Sequence, residues 1–498
     1  MRKMLATAAL LLGGPIAAQP VFTNVFPPDE FAARRARVME KIAGGVAIML
    51  GATEPAGEVA LRQNSQFHYL CGVVEPRAIL VIDGQTKKTT LFLNPRNQKR
   101  EESAYGPGLF PGEAAARTTG VDTVLERAPA VDSPGTLSEF QALVNRMAAE
   151  RRTIYTPFGA EVLGSISAGD PDRMWERNKA DLFDGRASRE EAFGMHLRQN
   201  APKSEIKNLD PILNLLRGTK SPREIAVIGE ATRIAGLGIM EAMRDARPGM
   251  HEYELQAAAE FVFKKHGAFG AAYFALIATG KNTYYSHYHR NTAQLSDGDL
   301  VQFDYAPDYK NYQSDVTRVF PANGKFTPWQ KEFYGIYLKL YRSVMSSIRP
   351  HVTPIEVMKH AVEKMDEIMA TYPFTDEKIQ RAAEKMVDNY RRQAKEGTRH
   401  GLGHTVGLEV HDVAMPTPTL EPGQIFTIEP QMRIEELHLG LRLEDMLLIT
   451  ETGYENLSAF VPIEIDAIEA LMADRAHGLS AAHQSMKAPY LANNSVEK

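Results

Sequence analysis

Cysteine is almost missing from this 498-residue chain, where Cys71 stands alone. An intramolecular disulfide is therefore impossible, and a thiolate-rich zinc site is excluded. Any bound metal must be held by carboxylates and imidazoles. A strong charge excess is missing too. The formal charge is −5 and no block of Lys or Arg stands out, so nothing calls for nucleic acid or an anionic membrane. No segment beyond the N-terminus is apolar enough to cross a bilayer, so no stable membrane insertion is expected. Internal repeats and low-complexity tracts are absent as well. What remains is ordinary globular composition, 44% hydrophobic and 24% charged, at a length that suggests two or three domains. Cys71 lies in Tyr69-Leu70-Cys71-Gly72-Val73-Val74, a run that reads as a buried strand and gives the thiol an inert packing role.

The first 18 residues have the anatomy of an export leader. Arg2 and Lys3 precede a short apolar run, Gly13-Gly14-Pro15 breaks it, and Ile16-Ala17-Ala18 offers small residues for cleavage. The expected location is periplasmic or secreted. Residues 19–200 read as an α/β domain, with strands over 47–50, 78–82 and 89–93 and a charged connector within 170–191. Residues 201–472 read as an α+β domain, and 473–498 as a polar tail. In that second domain Ser221-Pro222-Arg223-Glu224 predicts a helix start: Ser as N-cap, Pro first, and Glu three residues after the cap. Helices follow over 252–264, 328–348 and 354–369, with strands over 275–278, 300–305, 315–320, 425–428 and 441–450.

Four clusters in that second domain carry chemistry. Asp304 ends one strand-like run and Asp315 starts the next, so a hairpin sets two carboxylates side by side. Repulsion and burial raise their pKa values unless cations neutralise them. Taken alone, the pair fits two solvated turn aspartates equally well. His400, His404 and His411 lie among glycines, which let the backbone approach a crowded site. Glu429 and Glu444 each interrupt an apolar strand, where an unpaired carboxylate is expensive. Arg442 is two residues from Glu444, on the same face if one strand holds both. Together Asp304, Asp315, His404, Glu429 and Glu444 match a pair of divalent ions such as Mn²⁺, Co²⁺ or Zn²⁺.

With these motifs in order, and with Lys220-Ser221-Pro222-Arg223-Glu224-Ile225, His287-Tyr288, Asp315-Val316-Thr317-Arg318 and Arg442-Leu443-Glu444-Asp445, the chain resembles the pita-bread metallopeptidases over most of 215–472. The branch is that of Xaa-Pro aminopeptidase (aminopeptidase P) and prolidase. A smaller creatinase-type N-terminal domain is suggested by Arg62-Gln63-Asn64-Ser65, Phe67-His68-Tyr69-Leu70 and Glu75-Pro76. The resemblance implies an α+β pita-bread catalytic domain and two metal ions, Mn²⁺ first, bridged by Asp315 and Glu444. It implies Asp304 on one ion, with His404 and Glu429 on the other. A hydroxide between the ions attacks the scissile carbonyl, and Glu429 shuttles the proton to the leaving nitrogen. His287 and His411 contact the substrate, and Arg442 orients the carboxylates. The implied partners are peptides with proline in second position and a second copy of the chain, as homodimer or homotetramer.

Ala306, Asn311, Thr405 and Gln431 depart from the family's usual Gly, Gly, Trp and Gly. They alter walls and turns around the site. The alternatives are an Xaa-Pro dipeptidase, a hydrolase of non-peptide amides, and a metal-free binding module on the same fold.

Overall fold

The computed structural model describes residues 26–474, apart from 56, 58, 128–137, 162–166, 168 and 397–401. The expected leader at 1–18, His400 and nearly all of the tail at 473–498 lie outside the described residues. The chain divides into two compact units, residues up to Phe158 with Arg189–Leu209, and Gly159–Ser188 with Asp210 onward. No helix among the described residues is long and apolar enough to cross a membrane.

The first unit is built on a mixed six-stranded sheet of β1 (Val46–Leu50), β2 (Ile79–Asp83), β3 (Lys88–Leu93), β4 (Thr123–Glu126), β5 (Ile154–Thr156) and β6 (Ile206–Asn208), in the order β4-β3-β2-β1-β5-β6. The central β1 runs antiparallel to β2 and parallel to β5. Four of its five residues are buried, because both faces of a central strand are covered. Val46, Ile48, Val81, Phe92, Val144 and Leu197 pack into one core.

One expectation fails here. The run around Cys71 is a helix, Ser65–Cys71, not a strand. Asn64 caps it by accepting from the Phe67 amide, and Gly72 closes it at φ 67°, a left-handed position that favours glycine. A short apolar run fits either element, and here the two caps decide. Burial pushes the Cys71 thiol up to about 12, which leaves it inert. The stretch read as a connector holds a helix, Asp170–Ala180, with Asp170 and Pro171 in its first turn, and the start of another, Arg189–Asn200. Weak hydrophobic periodicity hid both.

The second unit takes in the helix Asp170–Ala180 and, from Asp210 on, a short helix Asp210–Gly218 and the long helix Pro222–Asp245, whose capping box of Ser221 and Glu224 forms as the local sequence dictates. The long helix packs against Glu252–Lys265, and Pro328–Met345, Pro354–Thr371 and Glu377–Glu396 follow. The strands are β7 (Gly270–Ala271), β8 (Leu276–Thr279), β9 (Leu300–Asp304), β10 (Pro307–Tyr309), β11 (Tyr312–Gln313), β12 (Thr317–Pro321), β13 (Ile425–Ile428), β14 (Gln431–Ile434), β15 (Leu439–Arg442), β16 (Asp445–Ile449) and β17 (Tyr454–Asn456). They form the sheets β12-β9-β8, β11-β10-β7, β13-β16-β17 and β14-β15.

The run 441–450, expected as one strand, is two. β15 stops at Arg442 and β16 starts at Asp445, directly across from β13, which stops at Ile428, and β14, which starts at Gln431. Glu429-Pro430 and Leu443-Glu444 are thus facing gaps in the ladder. Proline has no amide hydrogen to give, and Tyr337 fills the space between. Its hydroxyl donates to the Pro430 carbonyl at 2.7 Å and accepts from the Leu443 amide at 2.6 Å.

Candidate metal centre

The two facing gaps free Glu429 and Glu444 from strand alternation, and both turn toward the ends of β9 and β12. Antiparallel pairing sets Asp304 opposite Thr317, and an isolated bridge ties Thr317 to Glu444. Asp315 precedes β12 after the hairpin of β10 and β11. That hairpin turns at Lys310 and Asn311, with φ of 56° and 67°. Asparagine tolerates the left-handed region, so replacing glycine there leaves the turn intact.

Asp304, Asp315 and Glu444 are 2%, 5% and 1% exposed. One oxygen from each falls within 4.8 Å of the others, and His404, Glu429 and Glu444 form a second such group. Glu444 belongs to both. Asp315 also groups with His404 and His411. His404 Nε2 lies 3.4 Å from Asp315, 3.6 Å from Glu429 and 3.7 Å from Glu444. Its Nδ1 faces the Thr405 carbonyl at 3.2 Å and must donate there, which leaves Nε2 facing the carboxylates as the nitrogen that would ligate a metal.

Close backbone approach makes this possible. A Cβ on Gly403, at φ 139°, would strike the Thr427 carbonyl, and one on Gly407 would strike the Asp412 carboxylate. The loop between them is anchored below by a buried network in which Arg217 pairs with Glu409 and Asp412, and Lys220 with Asp412 at 2.6 Å.

The electrostatics are unbalanced. Burial raises Asp304 to about 7 against the pull of Arg442, which pairs with it. Burial, with Asp315 and Glu429 nearby, lifts Glu444 well above the carboxylate range. Burial works against the His404 imidazolium, but Asp315 and Glu429 outweigh it and hold that pKa above its usual value. Glu444 Oε2 accepts from Thr317 at 2.9 Å, while Oε1 is buried without a hydrogen-bond partner among the described residues. An orphaned buried oxygen amid repelling carboxylates is what divalent cations would satisfy. The donors are carboxylate oxygens and one imidazole, a hard-to-borderline set, so these residues fit a pair of such ions.

Tyr273 carries no motif signal, and the contacts of Arg318 and Arg442 go beyond what their motifs show. Tyr273 reaches both Asp304 and Asp315 at 2.6 Å through its hydroxyl. Arg318, fully buried, donates to the Glu444 carbonyl at 2.8 Å and to Asp445 at 2.6 Å. Arg442 and Glu444 are not held by one strand, the condition for their sharing a face. Arg442 ends β15, binds Asp304 and approaches Glu429 at 4.0 Å.

His411 lies against His404 with ring centres 3.7 Å apart and planes tilted by 43°, and burial with His404 lowers its pKa to about 4. It lines a cavity of about 720 Å³ together with His404, Glu429, Gln431 and Tyr390. His287 lies outside the ligand groups, in a cavity of about 650 Å³ with Tyr285 and Tyr288. Burial and Arg442 lower its pKa. Of the departing residues, Ala306 is fully buried and Thr405 donates to the Val413 carbonyl at 2.7 Å, both inside the scaffold. Only Gln431 lines the larger cavity.

Residues 226–451 match the family described as metallopeptidase family M24, and residues 31–155 the aminopeptidase P N-terminal domain. An Xaa-Pro aminopeptidase of Escherichia coli is 31% identical over 463 residues, 89% of this chain and 97% of that protein. The solved proline aminopeptidase P II of Yersinia pestis superposes with a TM-score of 0.68 at 31% identity, over 90% of this chain and all of that one. An Xaa-Pro dipeptidase of Rattus norvegicus is 25% identical over 509 residues, 89% of this chain and 93% of that protein.

Proposed function

Since the chain belongs to metallopeptidase family M24, we propose that it is a two-metal exopeptidase that releases the N-terminal residue from peptides with proline in second position. Its architecture is the family's, a pita-bread catalytic domain behind an aminopeptidase P N-terminal domain. The observation that carries the reading is the pair of ligand groups sharing Glu444, with its orphaned buried oxygen. The aminopeptidase reading is preferred over a dipeptidase because the relatives of that name match more strongly, 31% against 25%.

Asp304, Asp315, His404, Glu429 and Glu444 would hold the ions, with Mn²⁺ the first choice and Co²⁺ or Zn²⁺ next. Such a pair, when bound, acidifies a water and polarises the scissile carbonyl. Glu429, about a quarter exposed at the cavity wall, takes the proton and gives it to the proline nitrogen, which has none of its own. His287 and His411, both held below the usual imidazole pKa, are neutral at pH 7 and hydrogen-bond the substrate without adding charge. Arg442 fixes Asp304 and offsets the carboxylates around it. The leader at 1–18 directs export, and the working form is a homodimer or homotetramer.

The test is chelation. The stripped chain should lose cleavage of an Xaa-Pro tripeptide and regain it on adding Mn²⁺. Full activity in chelator would sink the mechanism. Cutting of the Xaa-Pro dipeptide alone would move the reading to a dipeptidase, and indifference to proline would dismiss both.

A further inference from the structure

Arg433 follows Gln431 by two residues on β14, so the two side chains share the half-buried face of that strand. Arg433 lines both cavities beside the ligand groups, the one holding His404, His411 and Glu429 and the one holding His287. Its guanidinium carbon lies 5.6 Å from the centre of the Tyr284 ring, and Nη2 donates to Gln431. No carboxylate among the described residues pairs with it, and burial with nearby Arg442 works against its charge.

The acids on the larger cavity's wall are already engaged. Glu435 pairs with Lys385, Asp388 with Arg391, and Glu429 faces His404. Arg392, on the Glu377–Glu396 helix lining the same cavity, bonds the Asn389 amide oxygen and pairs with no carboxylate among the described residues. The space leading away from Glu429 therefore carries two guanidinium groups without counter-charge among the described residues. The more buried of them, Arg433, lies on the strand that starts two residues after Glu429. A planar fork braced by an aromatic face and an amide is set to take a carboxylate in two parallel hydrogen bonds.

We propose that Arg433 is a specificity-determining residue that receives a carboxylate of the peptide, either the free C-terminus of a short peptide or an Asp or Glu side chain beyond the proline. The proposal rests on the Xaa-Pro reading above and narrows its substrate class. A charged hydrogen-bonded pair at such a site favours the acidic substrate by about tenfold or more.

Four peptides test it on the full Mn²⁺-loaded chain: Ala-Pro-Ala, its C-terminal amide, Ala-Pro-Glu-amide and Ala-Pro-Gln-amide. The expected result is higher kcat/KM for at least one acidic member over its neutral partner, carried by KM. Preference for Ala-Pro-Ala over its amide assigns the C-terminus, and preference for the Glu over the Gln peptide assigns a side chain. Arg433→Met should bring the acid-to-neutral ratio near one, and Arg433→Lys should restore part of it. The ratio is internal, so a general loss of folding lowers both members together and leaves it unchanged. Equal cleavage of all four by the unaltered chain overturns the proposal and leaves the Xaa-Pro reading standing. A preference that survives in Arg433→Met also overturns it. Cleavage of none of the four removes the Xaa-Pro reading, and the proposal with it.

Discussion

The second unit buries two clusters of charge that behave in opposite ways. Around Asp412 the protein supplies its own balance: Arg217 and Lys220 face Glu409 and Asp412, all four side chains nearly inaccessible. Burial would raise Asp412, yet Arg217 and Lys220 overcome it and hold the carboxyl far below the usual range. Around Glu444 the balance fails. Asp304, Asp315, Glu429 and Glu444 face one guanidinium, Arg442, and the imidazoles of His404 and His411. Burial works on all of the buried acids, and while His404 outweighs it at Asp315 and holds that carboxyl down, Asp304 and Glu444 are driven upward. Sequence composition is similar in the two places, acids beside bases. The difference lies in whether the fold completes the set, and an incomplete set marks the site that must bind something.

Breaking the unbalanced cluster at Glu429 should have the largest effect. Glu429→Gln removes both a ligand and the proton carrier, and kcat/KM on an Xaa-Pro tripeptide should fall about 10²- to 10⁴-fold or further. Its thermal stability without metal should hold or rise, because a repelling carboxylate has gone. A variant retaining more than a tenth of the activity would remove Glu429 from the chemistry.

The balanced cluster should respond in stability instead. Asp412→Leu strands Lys220 in a buried place, leaves Arg217 with Glu409 alone, and should cost about 3–5 kcal/mol in denaturant unfolding. The pH dependence follows in sign. Asp412 is depressed when folded, so its contribution is present above the unfolded value near 3.8 and is lost as pH falls through the folded value. Asp304, raised to about 7 in the metal-free chain, runs the other way and weakens that form as pH rises from about 4 to 7. Chelated protein should therefore melt higher at pH 5 than at pH 8. A flat profile would show that the two clusters do not differ as described.

Metal is the next lever. Mn²⁺ at about a hundred times its dissociation constant should stabilise the folded chain by roughly 2.7 kcal/mol per site. In Glu444→Gln, where the residue shared by both ligand groups is lost, most of that gain should vanish. Equal metal-induced shifts in Tm for the two proteins would place the binding elsewhere.

What could be read beforehand follows the same divide between local and distant causes. The helix at Pro222 was legible because Ser221, Pro222 and Glu224 settle it within four residues. Asp304 and Asp315 were legible as a hairpin pair because alternation and turn residues are local signals. Tyr273 was not, since its hydroxyl meets those carboxylates only after the fold brings it there. The helix at Ser65 was misread because seven apolar-rich residues carry too little period to tell helix from strand. The gap between β15 and β16 was missed because its causes are a proline on the facing segment and a tyrosine more than a hundred residues away.

That tyrosine allows the finest cut at the comparison. Tyr337 is fully buried and touches neither cluster's charged groups by hydrogen bond, yet it joins the backbones next to Glu429 and Glu444. Tyr337→Phe keeps the ring and removes the hydroxyl that pairs the Pro430 carbonyl and the Leu443 amide. The expected loss in stability is about 1–3 kcal/mol. A merely structural residue would stop there. If the gap sets the spacing of the two glutamates, the variant should also bind Mn²⁺ more weakly by calorimetry, while Asp412→Asn, which touches only the balanced cluster, should weaken it less. Unchanged Mn²⁺ affinity in Tyr337→Phe would mean that the carboxylates find their places without the tyrosine, and that the ladder gap is a consequence of the site and not its cause.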